Sequence, residues 1–420
     1  MRSRTKRSIV RNTAVSALCA LLLAACGASP ESMIASAKDY LAKNDRSAAT
    51  IQLKNALQKN PSFAEARYLL GKVHYEQGDY AGAEKELKRA FDLGFSPDLV
   101  VPLLAQSLLA TGQGPRIDTE LASVTLTQPE AQAGLLTSRG YAVLALGKRE
   151  AAEEAFQAAI KASPGFPPAR VGQARMRAIT RDLAGALVDV DNVLKDAPQL
   201  PEAHSLRADL LVALNRPDEA IPAYEAVIAG KPTDVAAYQN LISLLIRSNK
   251  LDVAQTKIQE MKKASGNHPL SIYLQAYMDL RNGKAKEAYE GVQQVLRVAP
   301  TYLPGMLLAS TLQLQRQDYA QALENLKKVL EKTPNLVIAR SQMVSAYLGL
   351  REPAKALESL QPLLKEGTDD VAVLNLAGQV YAMNGDFTRS EEFFRRASVA
   401  EPKNAQYRTR LGASRLAAGE

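Results

Sequence analysis

The sequence predicts an all-α protein in which about eleven helical hairpins and a final helix stack into a right-handed superhelical solenoid. Three regularities support this fold class: an alanine returns every 34 residues, a glycine or asparagine precedes it by five positions, and a proline follows it by twelve. A fixed period of this length is typical of one supersecondary unit repeated many times. Each unit buries its apolar faces only against its neighbours, so the units must stack.

The recurring alanine marks the second helix of each hairpin. One extra residue lies between Ala83 and Ala152, and Ile117 and Ser390 replace the alanine at two places in the series. A side chain this small lets two helix backbones approach closely, where leucine would hold them apart. The series comprises Ala49, Ala83, Ala152, Ala186, Ala220, Ala254, Ala288, Ala322 and Ala356.

The first helix of each hairpin is predicted from a second small residue and from the residue that ends the helix. Glycine and asparagine tolerate the left-handed conformation that closes a helix. The small residues, twelve positions before each alanine, are Ala37, Gly71, Ala105, Gly140, Ala174, Ala208, Ala276 and Gly378. The helix-ending residues are Asn44, Gly78, Gly112, Gly147, Asn215, Asn249, Gly283 and Gly385.

The second helix of each hairpin carries an apolar residue four positions after the alanine and ends before a proline. Proline lacks an N–H and restricts the residue before it, so it stops the helix. The apolar residues are Leu53, Leu87, Phe156, Tyr224, Ile258, Leu326, Leu360 and Phe394. The prolines are Pro61, Pro164, Pro198, Pro232, Pro300, Pro334 and Pro402.

Two parts of the array depart from the pattern. The unit around Ile117 and Val124 is degenerate, and the segment 265–269 has its proline late. Residues 405–419 form the first helix of a twelfth unit, up to a closing glycine. We expect this helix to cap the solenoid, because three arginines give it a polar outer face; the alternative is truncation of a longer protein. The arginines are Arg408, Arg410 and Arg415.

This pattern resembles the tetratricopeptide repeat, which has small residues at its eighth and twentieth places and a proline near its thirty-second. The chain departs from the motif in having no Trp, the residue often found at the fourth place. The resemblance implies a concave surface lined by the first helices, at the second, fifth, ninth and twelfth places. Candidate residues of this groove are Tyr68, Lys72, Tyr75, Tyr141, Arg175, Gln239, Tyr273, Tyr277 and Gln379.

Tyrosine and arginine on such a groove suit an extended peptide or a partner helix, since they offer large contact areas with polar tips. The alternative for each tyrosine is a packing role within the superhelix. Some relatives clamp a peptide carboxylate with lysine and asparagine. That arrangement is not evident, because Asn240 is followed by Leu270 and Leu274 where basic partners are needed.

The amino terminus predicts an export signal over residues 1–25. Five basic residues precede an apolar run from Ala14 to Ala25, which is too short to span a bilayer. Residues 26–30 form a short linker, and the solenoid occupies residues 31–420.

The apolar run ends Leu23-Ala24-Ala25-Cys26, which resembles a bacterial lipobox. In that family the peptide is cleaved before the cysteine, whose thiol is diacylated. The alternative is an ordinary secretory signal with an incidental cysteine. Gly27 follows, where Gram-negative lipoproteins retained in the inner membrane tend to have aspartate, so an outer-membrane location is expected.

Composition and charge narrow the function further. The chain has a net charge of +8 (52 basic and 44 acidic residues), but residues 1–25 hold five basic and no acidic residues, which leaves 47 against 44, or +3. A nucleic-acid surface would leave a stronger basic excess. Cys19 lies within the signal and Cys26 would carry lipid, so no thiol remains for a disulfide. No later stretch reaches the roughly 20 apolar residues of a transmembrane helix.

Nothing in the sequence indicates catalysis, a cofactor or a metal site. The three histidines, His74, His204 and His268, lie in different units without metal-ligand spacing. His74 stands where the repeat prefers tyrosine, so a packing role is expected. We therefore predict a chain that is not an enzyme.

The first two units resemble the repeat lipoproteins of PEP-CTERM/exosortase systems. The resemblance is carried by residues 35–45, 51–61, 64–71 and 90–94. It implies a lipid-anchored envelope scaffold that binds protein partners in exopolysaccharide export or in the sorting of tagged proteins. Two alternatives remain: an assembly factor for outer-membrane channels or secretins, and a regulatory partner of an envelope glycosyltransferase or hydrolase. The oligomeric state is not predicted.

Overall fold

The computed structural model describes residues 29–266, 268–364 and 368–419. The export signal, Cys26 and most of the linker lie outside the described residues. Within those ranges the chain forms 23 helices and no strand. The helices are α1 (Pro30–Ala42), α2 (Arg46–Lys59), α3 (Ala64–Glu76), α4 (Tyr80–Asp92), α5 (Pro97–Ala110), α6 (Pro115–Glu120), α7 (Pro129–Ala145), α8 (Arg149–Ala162), α9 (Pro167–Ile179), α10 (Leu183–Asp196), α11 (Pro201–Ala213), α12 (Pro217–Gly230), α13 (Val235–Arg247), α14 (Leu251–Ser265), α15 (Pro269–Arg281), α16 (Ala285–Val298), α17 (Leu303–Gln315), α18 (Tyr319–Lys332), α19 (Val337–Gly349), α20 (Pro353–Leu364), α21 (Val371–Met383), α22 (Phe387–Ala400) and α23 (Ala405–Ala418).

The chain divides into two compact units, Met1–Arg216 and Pro217–Glu420. The first unit contains α1 to α11 and the second contains α12 to α23. Within each unit every helix packs against the next along the chain, and first helices of several adjacent repeats also touch. This is the packing of stacked helical hairpins. The odd-numbered helix is the first helix of each hairpin, and the even-numbered helix is the second. The predicted all-α, tetratricopeptide-type fold is confirmed.

The recurring alanines lie at the tightest points of the hairpins. All nine are completely buried, and so are Ile117 and Ser390, which replace them. The small residues of the first helices are also buried. Most hairpins therefore close on a pair of short side chains, as the sequence predicts. Three repeats have a larger residue at one of the two places, and it is also completely buried: Ile117, Ile242 and Val344.

Three glycines of the first helices meet a bulky side chain from their own second helix. A β-carbon on Gly140 would lie 2.6 Å from Cε1 of Phe156. A β-carbon on Gly378 would lie 2.6 Å from Cε1 of Phe394. A β-carbon on Gly71 would lie 2.7 Å from Cγ of Leu87. These distances are too short for real contacts, so a β-carbon at any of the three sites would force the neighbouring side chain to shift.

The first helix of each hairpin ends at a residue with positive φ. The eight helix-ending residues predicted from sequence all have positive φ. Three further hairpins use residues that the sequence pattern did not identify: Arg181 (φ 72°), Gln317 (φ 62°) and Arg351 (φ 58°). The backbone thus makes the same turn at these three residues as at the glycines and asparagines, which adopt a positive φ more readily.

The second helices end where the prolines require. In each of the seven cases the last helical residue stands two positions before the proline, as with Lys59 and Pro61 or Ala400 and Pro402. The predicted stops are confirmed.

The degenerate third repeat has a second helix of only six residues, α6. Ile117 and Leu121 still bury their side chains in the core. The loop that follows is held by Asp98, whose carboxylate accepts hydrogen bonds from the backbone N–H of Thr127 (2.8 Å) and of Gln128 (3.0 Å). These bonds lower the pKa of Asp98. Polar contacts thus replace part of a helix.

The final helix, α23, packs against α22. The hydroxyls of Ser390 and Ser414 are 2.8 Å apart at this contact, and Arg415 forms an ion pair with Glu391. Gly419 follows the helix with φ 90°. The helix predicted over residues 405–419 is confirmed.

Replacing Phe156 by alanine should lower the free energy of unfolding by about 3–5 kcal/mol, the cost of removing a buried aromatic side chain. Phe156 is 1% exposed and packs against the backbone of Gly140. The matched control is Ile51→Ala, because Ile51 is 59% exposed and should change the stability by at most about 0.5 kcal/mol. Urea denaturation followed by circular dichroism measures the stability of both variants. Equal losses of stability would contradict the central packing role of Phe156.

Replacing Gln317 by glycine should raise the thermal midpoint. A non-glycine residue in the left-handed region costs roughly 1–2 kcal/mol, and the entropy of glycine in the unfolded chain offsets about half of the gain. The control is Gly283→Ala, at the equivalent turn with φ 74°, which should lower the midpoint. Shifts of the same sign for the two variants would refute this explanation.

Candidate functional site

The predicted groove residues fall on two separate surfaces. Five lie on α3, α7 and α9 of the first unit, and four lie on α13, α15 and α21 of the second unit. Each surface is described by itself. The first-unit residues are Tyr68, Lys72, Tyr75, Tyr141 and Arg175, and the second-unit residues are Gln239, Tyr273, Tyr277 and Gln379.

Tyr68 is half-buried and has a packing contact. Its ring stacks on Phe95, with centroids 4.9 Å apart, and burial raises the pKa of its hydroxyl. Tyr68 also packs against buried residues of the second and third repeats in the core of the first unit. Tyr68 therefore has a packing role within the repeats, and its predicted place in the groove stays a prediction.

Tyr75 is half-buried and bridges two repeats. Its hydroxyl donates a hydrogen bond of 2.6 Å to Oε1 of Gln106 on α5, and its ring meets Tyr80 edge-on at 5.5 Å. Burial raises the pKa of Tyr75 to about 12. The phenol is therefore neutral at physiological pH and serves as a hydrogen-bonding group.

Tyr141 and Arg175 lie side by side on α7 and α9. The ring of Tyr141 meets Phe156 edge-on at 5.0 Å. Burial raises the pKa of Tyr141, while the positive charge of Arg175 opposes the shift. The carboxylate of Glu202, at the start of α11, adds to the rise for both Tyr141 and Tyr75.

Glu202 therefore acts on tyrosines from the second and fourth repeats at once. We call Tyr75, Tyr141, Arg175 and Glu202 the tyrosine–arginine group. It combines aromatic rings, one cation and one anion, all on first helices of the first unit.

Lys72 is exposed and borders a separate cleft of about 240 Å³. Arg46 and Glu76 also line this cleft and form an ion pair at 3.1 Å. Between the same two repeats, Lys38 pairs with Glu65 at 2.6 Å. This edge of the first unit is charged and largely self-neutralised.

The second unit presents a different surface. Tyr273 stacks parallel to Tyr277 at 6.4 Å and meets Tyr302 edge-on at 5.3 Å, and burial raises the pKa of Tyr273. Both tyrosines pack against the core of the second unit. Gln239 is half-buried on α13. Aromatic packing between adjacent repeats thus explains this pair.

Gln379 lines a cavity of about 560 Å³ near the final helix. The walls are mainly apolar, with Leu348, Met383 and Phe394 among them. Gln379 donates a hydrogen bond to the carbonyl oxygen of Asn375 at 3.2 Å, and Arg410 is hydrogen-bonded to the side chain of Asn375. This cavity offers apolar contact with little charge.

Sequence reasoning missed two residues of the first surface, Gln106 and Glu202. They occupy the ninth place of the third repeat and the second place of the sixth, which are groove positions. The repeat register could have found both of them. Neither residue was among the candidates, although Gln239 and Gln379 were.

The three histidines have structural contacts. Nδ1 of His74 lies 2.8 Å from Oδ2 of Asp79, and His204 lies 2.9 Å from the carbonyl oxygen of Pro198. His268 caps α15 by accepting a bond from the N–H of Leu270. In the described ranges, no three His, Cys, Asp or Glu residues are placed to hold a metal ion.

Models of the tetratricopeptide repeat match residues 34–94 and 137–201, and a second model of the same description matches residues 179–245 and 313–380. These ranges together span more than half of the chain. The chain belongs to the tetratricopeptide-repeat family. Among curated proteins, no sequence matches this one significantly.

Solved structures of other proteins are similar to this one to different degrees. In the APC/C hetero-tetramer Cut9–Hcn1, a chain 14% identical matches over 94% of this protein and 85% of its own length, with a TM-score of 0.54. Yeast Tom70 is 14% identical, with 90% of each chain covered and a TM-score of 0.45. A repeat protein from Parabacteroides merdae is 14% identical over 67% of this chain and 98% of its own, with a TM-score of 0.39.

Tetratricopeptide repeats are protein-interaction scaffolds, and this family typically lacks enzymatic activity. Among the helices described, none combines the length and apolar character that crossing a bilayer demands.

Tyr75→Phe should destabilise the protein near pH 8, by about 1 kcal/mol, because it removes the hydrogen bond to Gln106. The folded-state pKa lies above the unfolded value near 10, so the wild-type fold loses relative stability as pH rises from about 10 towards 12. The deficit of the variant should therefore shrink by pH 11. Urea denaturation at the two pH values measures this change, and a deficit independent of pH would contradict it.

Proposed function

We propose that this protein is a lipid-anchored scaffold of a bacterial cell envelope, facing the periplasm from the outer membrane. It would bind protein partners in exopolysaccharide export or in the sorting of PEP-CTERM-type proteins. The proposal rests on the run Leu23-Ala24-Ala25-Cys26, which ends the predicted export signal and is followed directly by the helical repeats.

Anchoring by lipid follows from the energetics of acyl chains. Each buried methylene contributes about 0.8 kcal/mol, so one chain binds a bilayer only marginally while two or more hold firmly. Cys26 is the attachment site in this proposal. Because α1 begins at Pro30, the first repeat starts within a few residues of the lipid.

Two surfaces support a binding role. The tyrosine–arginine group offers aromatic rings with polar tips, and the apolar cavity beside Gln379 offers contact for bulky side chains. Partners with extended or helical segments suit such surfaces. An array with two distinct surfaces is able to hold two partners of different chemistry at once, which is what a scaffold requires.

Lipidation is tested by growing cells that express the full chain with labelled palmitate. Cys26→Ser should abolish the label on the protein and release it from the membrane fraction. Cys19→Ser is the matched control, since Cys19 lies within the signal and should leave labelling intact. A label that persists in Cys26→Ser, or none in the wild type, would contradict the anchor.

The scaffold role is tested by affinity capture from membranes with the lipidated protein, followed by deletion of its gene. We expect components of polymer export or sorting in the capture, and a defect in the corresponding process after deletion; both processes unchanged would contradict the proposal. Capture of a secretin or barrel precursor alone would favour the assembly-factor alternative. Capture of a glycosyltransferase or hydrolase would favour a regulatory role.

A further inference from the structure

The cavity of about 560 Å³ near the final helix is large enough for a small-molecule ligand. It is lined by side chains of α19, α21, α22 and α23, all within the second unit. Its volume lies within the range of about 300–1,000 Å³ that is typical of ligand sites. The apolar part of the wall includes Leu348, Met383, Phe387, Phe394, Ala413 and Ala417.

Arg410 is the one charged side chain among the described residues that line this cavity. It is half-buried on α23, and its Nη1 atom donates a hydrogen bond to Oδ1 of Asn375, a neutral amide. In the described ranges no carboxylate forms an ion pair with it, whereas Arg415 on the same helix pairs with Glu391 at 3.0 Å. A guanidinium has five N–H donors. Arg410 therefore keeps its charge and several donors for an anion.

The charged and apolar groups of the cavity follow an order along two first helices. On α21 Gln379 precedes Met383 by about one turn, and on α23 Arg410 precedes Ala417 by about two turns. As first helices of successive repeats, α21 and α23 run in the same direction. The polar groups therefore share one end of the cavity, and the apolar groups share the other. A ligand with one charged end and an apolar body matches this order.

The walls offer few hydrogen bonds along the apolar part of the cavity. Most backbone N–H and C=O groups of the surrounding helices are paired within those helices. Gln379 donates to the carbonyl oxygen of Asn375 at 3.2 Å. The hydroxyl of Ser414 lies 2.8 Å from that of Ser390. An extended polypeptide would bury unpaired backbone groups here at a cost, whereas an acyl chain has no polar group along its length.

We propose that this cavity binds a free fatty acid, with its carboxylate on Arg410 and its acyl chain against Met383, Phe394 and Ala417. A planar carboxylate matches the guanidinium, which donates two parallel hydrogen bonds to it. The inference goes beyond the proposed scaffold function, because it gives this end of the array a small-molecule ligand. A bulky side chain of a protein partner would compete with the fatty acid for the same walls.

The probe is laurate, titrated calorimetrically below its micelle concentration into the full chain carrying Cys26→Ser. This substitution removes the predicted lipid attachment site, so no covalently bound acyl chain competes for the cavity. Laurate should bind, and dodecanol, which has a chain of the same length without the charge, should bind about tenfold more weakly or worse. Affinity should rise from hexanoate to laurate by up to about fourfold for each methylene buried.

Variants then locate the site. Arg410→Met should lower the affinity for laurate to that for dodecanol and leave dodecanol binding unchanged. The matched control is Arg415→Met, since Arg415 is already paired with Glu391 and lies outside the cavity lining. Ala413→Leu places a larger side chain in the cavity and should weaken both ligands. Ala418→Leu, on the same helix but outside the lining, should weaken neither.

A folding defect is distinguishable from a lost ligand, because the comparison of laurate with dodecanol needs no substitution in the cavity. Equal affinities for the two compounds, or no binding of laurate, would overturn the inference. Laurate binding that survives Arg410→Met would also overturn it. So would displacement of laurate at lower concentration by a neutral amphipathic helical peptide of leucine and glutamine, which would indicate a protein ligand. Palmitate labelling and capture from membranes judge the scaffold proposal separately.

Discussion

The whole array depends on the close contact between the two helices of each hairpin. Alanine or glycine on the first helix and alanine on the second let the backbones meet, and a bulky side chain such as Phe156 or Phe394 then covers the glycine of its partner. Three repeats accommodate a larger residue at one of the two places, and its side chain is completely buried there: Ile117, Ile242 and Val344. Because each repeat is stabilised mainly by its neighbours, this local contact supports the stacking of each unit.

Much of the fold could be predicted from sequence because the contact demands specific residue types at fixed spacing. The buried alanines, the helix-ending glycines and asparagines and the proline stops all follow from it. The turns at Arg181, Gln317 and Arg351 were not identified by residue type, because none of the three is glycine or asparagine, although each stands five positions before a recurring alanine. The sequence predicts only a degenerate unit where α6 has six residues. After α6 a loop takes the place of the missing helical turns, and its backbone N–H groups donate to Asp98, which leaves no periodic pattern.

The binding surfaces were harder to predict than the fold. The repeat register identifies positions on the concave face, but it does not reveal which of those side chains pack against other residues of the protein. Tyr68 and Tyr273 are held by aromatic neighbours, whereas Arg175 is left without a carboxylate. That difference depends on contacts between side chains of different repeats, and the sequence alone does not specify them. The two units therefore share one architecture and present surfaces of different chemistry.

A double-mutant cycle between Gly378 and Phe394 tests the central contact most directly. A β-carbon at residue 378 would overlap the phenyl ring, so Gly378→Ala should lower the free energy of unfolding in the wild-type background. In the Phe394→Ala background the same change should cost nothing or stabilise, since alanine favours the helix more than glycine does. An equal cost in both backgrounds would show that the glycine and the phenylalanine are not coupled, and the account of hairpin packing would be wrong.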